Sequence, residues 1–279
     1  LMKKGILKSM ALATMLATLG IGGTALHSDD ASASSYINTK SSNLSSLERT
    51  AIKNNAYYQR HSNHPNPIGR DVFGTMRQLE ITYSQNYGQL WSRNYGKKYR
   101  KSNTMIFAPH GGGIEPGTTE VARAIAYNGH HDYFSFNGLK NSGNRSLHVT
   151  STRYDEPVLN RKIKSKKYAV AIHGASGKQK IVYVGGRDSK LKQRATVRLR
   201  QKGFNAQPAP KNLAGVKKSN IVNRTSRGQG LQLEMTTALR KSMFDSGKFS
   251  RSDRTQSKNW SGDMKKFKEA INLAIKDVK

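Results

Sequence analysis

The segment MIFAPHGGGIEPGTTE, residues 105–120, constrains this chain more than any other stretch. A short apolar run that suits a buried strand ends in a histidine, three glycines and a glutamate. Glycine carries no Cβ, so the backbone can fold back after the strand and bring His110 and Glu115 to one point. An imidazole and a carboxylate on one glycine-rich turn is how a catalytic zinc site begins. Zinc takes His nitrogen and Glu oxygen at roughly 2.0–2.2 Å and, in catalytic sites, keeps a fourth position open.

Two further runs supply what that turn lacks. YAVAIHG at 168–174 ends a second apolar strand in His173, and GLQLE at 230–234 ends a third in Glu234. Two histidines and Glu115 make a His2Glu ligand set, which leaves Glu234 as the acid able to take a proton from water. All three pieces lie at the C-terminal ends of β-rich runs, where open α/β sheets place their ligands.

From Thr104 onward, short β runs alternate with helical segments. Runs at 104–108, 133–136, 147–150, 168–172, 181–184 and 231–233 read as strands. Helices are expected at 119–127 with Thr118 as N-cap, at 189–202 ended by Gly203, and at 236–244. Met264, Phe267, Ile271, Ala274 and Val278 recur at three- and four-residue intervals and mark the core-facing stripe of a C-terminal helix. The alternation implies an α/β fold with a mixed, mostly parallel sheet and helices on both faces. Upstream, 72–83 has a strand-like alternation. Residues 86–101 form a basic aromatic stretch with Tyr87, Trp91, Tyr95 and Tyr99, read as a hydrophobic patch closing over the core.

The chain opens with lysines, runs into the apolar stretch 10–21, and offers Ala31-Ser32-Ala33 as a cleavage site, so 1–33 reads as a secretory signal peptide. A membrane anchor needs about 20 apolar residues, and this run is shorter. The expected organisation is therefore 1–33 signal peptide, 34–100 polar and partly disordered extension, and 101–279 catalytic domain, with the mature chain starting near Ser34. His61 and His64 sit among Pro and Asn in the extension and read as surface histidines. Cysteine is absent, which removes disulfides and thiolate ligands and leaves nitrogen and oxygen to hold any metal. The net charge of +31 is the footprint of a polyanion partner, though charge alone does not say which one.

The blocks APHGGGIEPGT at 108–118, SLHVTSTRYDEP at 146–157, IHG at 172–174, NIVNR at 220–224 and GLQLEM at 230–235 follow one another in an order that resembles the zinc-dependent poly-γ-glutamate hydrolases of phages and bacteria. The resemblance covers about residues 104–245. It implies a fold similar to zinc carboxypeptidases, endo-acting cleavage of γ-glutamyl amide bonds, one Zn2+ per chain held by His110, Glu115 and His173, and Glu234 as general base. By analogy with the Asn-Arg pair that grips carboxylates in zinc carboxypeptidases, Asn223 and Arg224 are expected to bind substrate, an Arg fork matching carboxylate geometry. His148 is expected either to donate into the cleft or to orient a ligand. Arg145, Arg153 and Arg227 neighbour the same blocks without being separable into grips and surface charge.

The expected partner is an anionic polymer, poly-γ-glutamate, met outside the cell or at its wall by a monomer that makes no stable membrane insertion. Nucleic acid is not expected, since no recognised binding module is present and the leader exports the chain. Two alternatives remain open on sequence: cleavage of γ-D-glutamyl bonds in peptidoglycan by the same chemistry, and a non-catalytic polyanion-binding cell-wall protein.

Overall fold

The computed structural model describes Leu44, Ser46, Arg49, residues 68–96 and residues 102–279. The expected signal segment, His61, His64 and Tyr99 lie outside the described residues. In chain order the elements are α1 (Met76–Thr82), β1 (Trp91–Gly96), β2 (Thr104–Gly112), α2 (Thr118–Asn128), β3 (Asp132–Gly138), α3 (Pro157–Ile163), β4 (Tyr168–Ala175), β5 (Ile181–Gly186), α4 (Ser189–Gln201), β6 (Asn205–Pro208), β7 (Leu231–Thr236), α5 (Thr237–Ser242), α6 (Arg251–Thr255) and α7 (Gly262–Lys276).

Among the described residues the strands form one seven-stranded sheet in the order β1-β3-β2-β4-β7-β5-β6. The pairs β3–β2, β2–β4, β4–β7 and β5–β6 are parallel, whereas β1–β3 and β7–β5 are antiparallel. This is the mixed, mostly parallel α/β sheet that the alternation implies. Strands β2 and β4 are buried on both faces and open on near-continuous apolar runs, whereas β7 is buried but alternates apolar and polar residues. One face packs Val121 and Ile125 of α2, Leu191 and Leu199 of α4, Leu239 of α5 and Phe267 and Ile271 of α7. The other packs Met76 and Leu79 of α1 with Leu159 and Ile163 of α3. No described helix is long and apolar enough to cross a membrane.

The structure corrects several element expectations. Residues 72–83 hold a helix, not a strand. Within the helix Met76, Gln78, Leu79 and Thr82 are buried, Met76, Leu79 and the C-cap Tyr83 at three- and four-residue spacing carry its apolar stripe, and Thr75 caps the helix by accepting from the Gln78 N–H. Residues 147–150 join no ladder, because their backbone is bonded to side chains. The Val149 carbonyl meets His110 Nε2 at 2.9 Å, and the Thr150 N–H donates to Asp71 Oδ2 at 2.7 Å. The N-cap of α2 is Gly117, with Thr118 inside the helix. Strand β6 was not expected; it sits at the sheet edge, where its proline is tolerated.

Residue 100 does not mark a structural boundary. Strand β1 pairs with β3, and Trp91 stacks on Phe136 with centroids 5.3 Å apart while donating its indole N–H to the Tyr83 carbonyl at 2.9 Å. The residues from Asp71 to Gly96 are thus part of the same core as the strands that follow.

One ionic cluster in this region has a sign that pH can read. Arg93 Nη1 lies 3.2 Å from Glu80 Oε2 and 2.9 Å from Glu156 Oε1, so one cation serves two carboxylates. Burial, and then the charge of Glu156, push the Glu80 carboxyl up to about 8 against the opposing pull of Arg93. A group that binds its proton more tightly in the native state stabilises the fold at low pH. That contribution is complete below the unfolded value near 4.5 and is lost as pH rises through about 8. Glu80→Gln, neutral throughout, should therefore raise the thermal midpoint by a few degrees at alkaline pH and by little in mild acid. Equal shifts at both ends, followed by calorimetry, would remove Glu80 as the titrating group.

Candidate metal centre and cleft

Strands β2 and β4 run side by side only from Thr104↔Tyr168 to Phe107↔Ala171. Beyond that point the ladder ends, a gap opens between the C-terminal strand ends, and His110 and His173 stand on its two banks. Glu115 closes the gap from the turn between β2 and α2. Its Oε1 lies 3.1 Å from His110 Nδ1, its Oε2 accepts the Gly174 N–H at 2.8 Å, and the same oxygen lies 3.7 Å from His173 Nδ1. Gly174 has to be glycine for this approach, since a Cβ there would stand 2.8 Å from the Arg240 guanidinium carbon and 3.0 Å from the Glu115 Cβ.

Ligand atoms of His110, Glu115 and His173 all lie within 4.8 Å of one another. Atoms bound to one tetrahedral zinc at about 2.0–2.2 Å stand roughly 3.3–3.6 Å apart, so the 3.1 and 3.7 Å separations bracket the edges of such a site. The hydrogen bonds point the same way. His110 Nε2 faces the Val149 carbonyl at 2.9 Å, where an N–H donates, and Nδ1 faces Glu115 Oε1 at 3.1 Å, so that Nδ1 and the carboxylate oxygen are both acceptors once Nδ1 gives up its proton. Two acceptors at that distance need a cation or a proton between them. His173 turns Nδ1 toward the Glu115 carboxylate at 3.7 Å, while its buried Nε2 has no hydrogen-bond partner among the described residues. Burial would raise the Glu115 carboxyl, but the charge and hydrogen bond of His110 more than offset it and hold Glu115 at about 2. Burial also takes His173 down to about 3. An ionised carboxylate and a neutral imidazole are the forms that bind metal.

Glu234 pairs in register with His173 across β4 and β7. Burial, and then the charge of Glu115, raise it to about 8, while Gln232 and Arg240 pull the other way. Its Oε1 accepts from Gln232 Nε2 at 2.9 Å. His148 lies with its ring centroid 4.0 Å from that of His110, and its Nδ1 meets Asp71 Oδ1 at 2.5 Å. His110, Glu115, His148, His173, Gln232 and Glu234 line a cleft of about 590 Å³ whose wall also includes Arg145, Lys211 and Lys217.

Asn223 and Arg224, expected to grip substrate, do not line this cleft; most of their side-chain donors are taken up by main-chain carbonyls. Asn223 Nδ2 donates to the carbonyls of Gly215 and Lys217, and its Oδ1 accepts from the Gly230 N–H. Arg224 donates to the carbonyls of Ser219, Tyr154 and Thr152 and to Asn160 Oδ1. Both tie neighbouring loop segments together. Arg227 pairs with Asp188 at 2.8 Å, which leaves Arg145 as the cleft arginine among those that neighbour the motif blocks. The sequence reading missed Asp71, which lies 77 residues from its partner His148 and has no local signal. It also missed Gln232, which the period of two in GLQLE places on the face of Glu234, and Arg240, which holds the carbonyls of Met235, Pro116 and Ala175.

Comparison with known proteins places this geometry in a family. Residues 73–270 match the poly-gamma-glutamate hydrolase family. The chain is 39% identical over 154 residues to YmaC of Bacillus subtilis (strain 168), a match that spans 54% of this chain and 64% of YmaC. The chain thus spans less than two thirds of that relative. A bacteriophage poly-gamma-glutamate hydrolase structure superposes with a TM-score of 0.68 at 32% identity, covering 73% of this chain and 96% of that one. A zinc-free structure of YndL superposes with a TM-score of 0.67 at 30% identity, covering 75% and 98%.

The loop-tying role of Arg224 separates two measurable effects. Arg224→Gln should lower stability by about 2–3 kcal/mol, from lost hydrogen bonds of a charged donor, and leave affinity for a short anionic peptide unchanged. A variant of full stability that has lost that affinity would return Arg224 to the cleft.

Proposed function

This chain belongs to the poly-γ-glutamate hydrolase family, and from that premise we propose that it is a secreted zinc hydrolase that cuts γ-glutamyl amide bonds within poly-γ-glutamate. The observation that carries the reading is the convergence of His110, Glu115 and His173 within 4.8 Å, with Glu234 on the neighbouring strand. Those three residues would hold one zinc ion per chain. When bound, the ion supplies Lewis-acid polarisation of the scissile carbonyl and makes water acidic enough to attack near neutral pH.

The remaining work falls to the chain's own groups. Glu234 accepts the proton of the attacking water at a carboxylate oxygen and passes it to the departing amide nitrogen. Burial and the charge of Glu115 raise its proton affinity, and a bound cation would lower it toward neutrality, where a carboxylate can both take and return a proton. Asp71 orients His148 beside His110, which fixes the ring packed against a ligand. Every residue of the polymer keeps a free α-carboxylate, because the main chain runs through the γ-carboxyl. Arg145, Lys211 and Lys217 on the cleft wall complement those charges, and the net charge of +31 attracts the polymer as a whole. Export through the 1–33 segment and action as a monomer outside the cell or at its wall complete the proposal.

Purified protein should contain one zinc per chain by elemental analysis, and His173→Ala should contain almost none. Full occupancy in that variant would sink the ligand set. Glu234→Gln should keep zinc and polymer affinity and lose turnover by about 10²–10⁴-fold, the usual contribution of a general base. Near-normal cleavage would move the base elsewhere. Digestion of purified polymer alongside purified cell wall decides between poly-γ-glutamate and peptidoglycan as the substrate.

A further inference from the structure

Gln232 stands two residues before Glu234 on β7, so the two side chains share one face of the strand, while Leu231, Leu233 and Met235 turn into the core. A carboxamide has an oxygen that accepts and a nitrogen that donates, and its partners decide which way it points. Here the choice starts at the backbone. The Val222 N–H donates to Asn220 Oδ1 at 3.1 Å, which turns Asn220 Nδ2 toward Gln232. That nitrogen donates to Gln232 Oε1 at 2.9 Å. Gln232 Nε2 is left facing the other side, where it donates to Glu234 Oε1 at 2.9 Å and to the Leu213 carbonyl at 3.0 Å. Turned over, the carboxamide would set oxygen against oxygen at both contacts. Gln232 is 5% and Asn220 4% exposed, so water could not relieve the conflict.

The same side chain seats the loop that carries the basic wall. Leu213 lies between Lys211 and Lys217, and Gly215 packs so closely that a Cβ there would stand 2.7 Å from the Gln232 amide carbon. One carboxamide therefore touches both the acid of the site and the loop opposite the metal ligands.

We propose that Gln232, oriented by Asn220, is a positioning residue for hydrolysis: it holds Glu234 Oε1, turns the other carboxylate oxygen to the cleft, and ties that placement to the loop at 209–217. The inference rests on Glu234 being the base.

Gln232→Met removes both donors at similar length, and Asn220→Asp removes the orienting donor at constant size while keeping the acceptor for Val222. Each is measured alone and in the Glu234→Gln background, with zinc content and thermal midpoint as controls for site and fold. Alone, each should lower kcat by roughly 10- to 100-fold, the scale for losing a hydrogen bond to a charged group. The KM of a short γ-glutamyl oligomer should move less than about threefold, since an orienting contact acts on the chemical step. In Glu234→Gln neither should lower the residual rate further, because the carboxylate they orient is already gone. Wild-type kcat in either folded, zinc-loaded variant would overturn the proposal. So would an equal loss in both backgrounds, which would mean that the carboxamide acts through the loop alone. Full turnover in Glu234→Gln would overturn the base assignment and this inference with it, whereas an inactive Glu234→Gln beside a fully active Gln232→Met overturns this inference only.

Discussion

The carboxylate of Glu115 is the joint on which the cleft depends. One oxygen stands against His110 and the other accepts the Gly174 N–H, so a single side chain spans the gap where β2 and β4 stop pairing. Parallel strands whose ladder ends leave unpaired backbone groups, and here a side chain takes one of them. The turn that delivers Glu115 is itself short and fixed, with the Glu115 N–H donating to the His110 carbonyl at 2.9 Å. Strand, turn and neighbouring strand are therefore held in one geometry before any ion is considered. Preorganisation of this kind is what a metal site needs, because the ligands do not have to be gathered at the moment of binding.

Two carboxylates in the same cleft are driven in opposite directions. Histidines surround Glu115 and take it down to about 2, whereas burial and the charge of Glu115 take Glu234 up to about 8. Such a split separates roles. A group that stays ionised is fitted to hold a cation, and a group that titrates near neutrality is fitted to move a proton. The two shifts are linked, since the anionic charge that the histidines keep on Glu115 is part of what raises Glu234.

The excess of basic residues also does more than coat the surface. With 48 Lys and Arg against 17 Asp and Glu, most cations have no carboxylate to meet, and several arginines turn inward to main-chain carbonyls. Arg240 binds three of them from three segments around the site, and Arg224 binds three more from the loops beside it. A planar guanidinium with five donors is suited to such joints. Part of the charge that reads as affinity for polyanions is therefore scaffold.

Local patterns carried the strand ends of the site. His110 followed by glycines, His173 before Gly174, and Glu234 closing an alternating run are each visible in a few consecutive residues, because strand period and glycine freedom are short-range properties. The alternation of β runs and helices likewise determined the sheet and its two helical faces. What the chain could not show locally was decided by contacts between distant segments. Asp71 meets His148 across 77 residues, and an arginine set before a strand turned out to clasp the carbonyls of Thr152, Tyr154 and Ser219 in two loop segments. The stretch at 72–83 became a helix through its packing against the sheet, and 147–150 gave up a ladder because side chains from elsewhere took its carbonyl and amide. Which polar groups face the cleft, and which are consumed holding it open, depends on where hydrogen-bond partners lie in space, and only the folded arrangement supplies that.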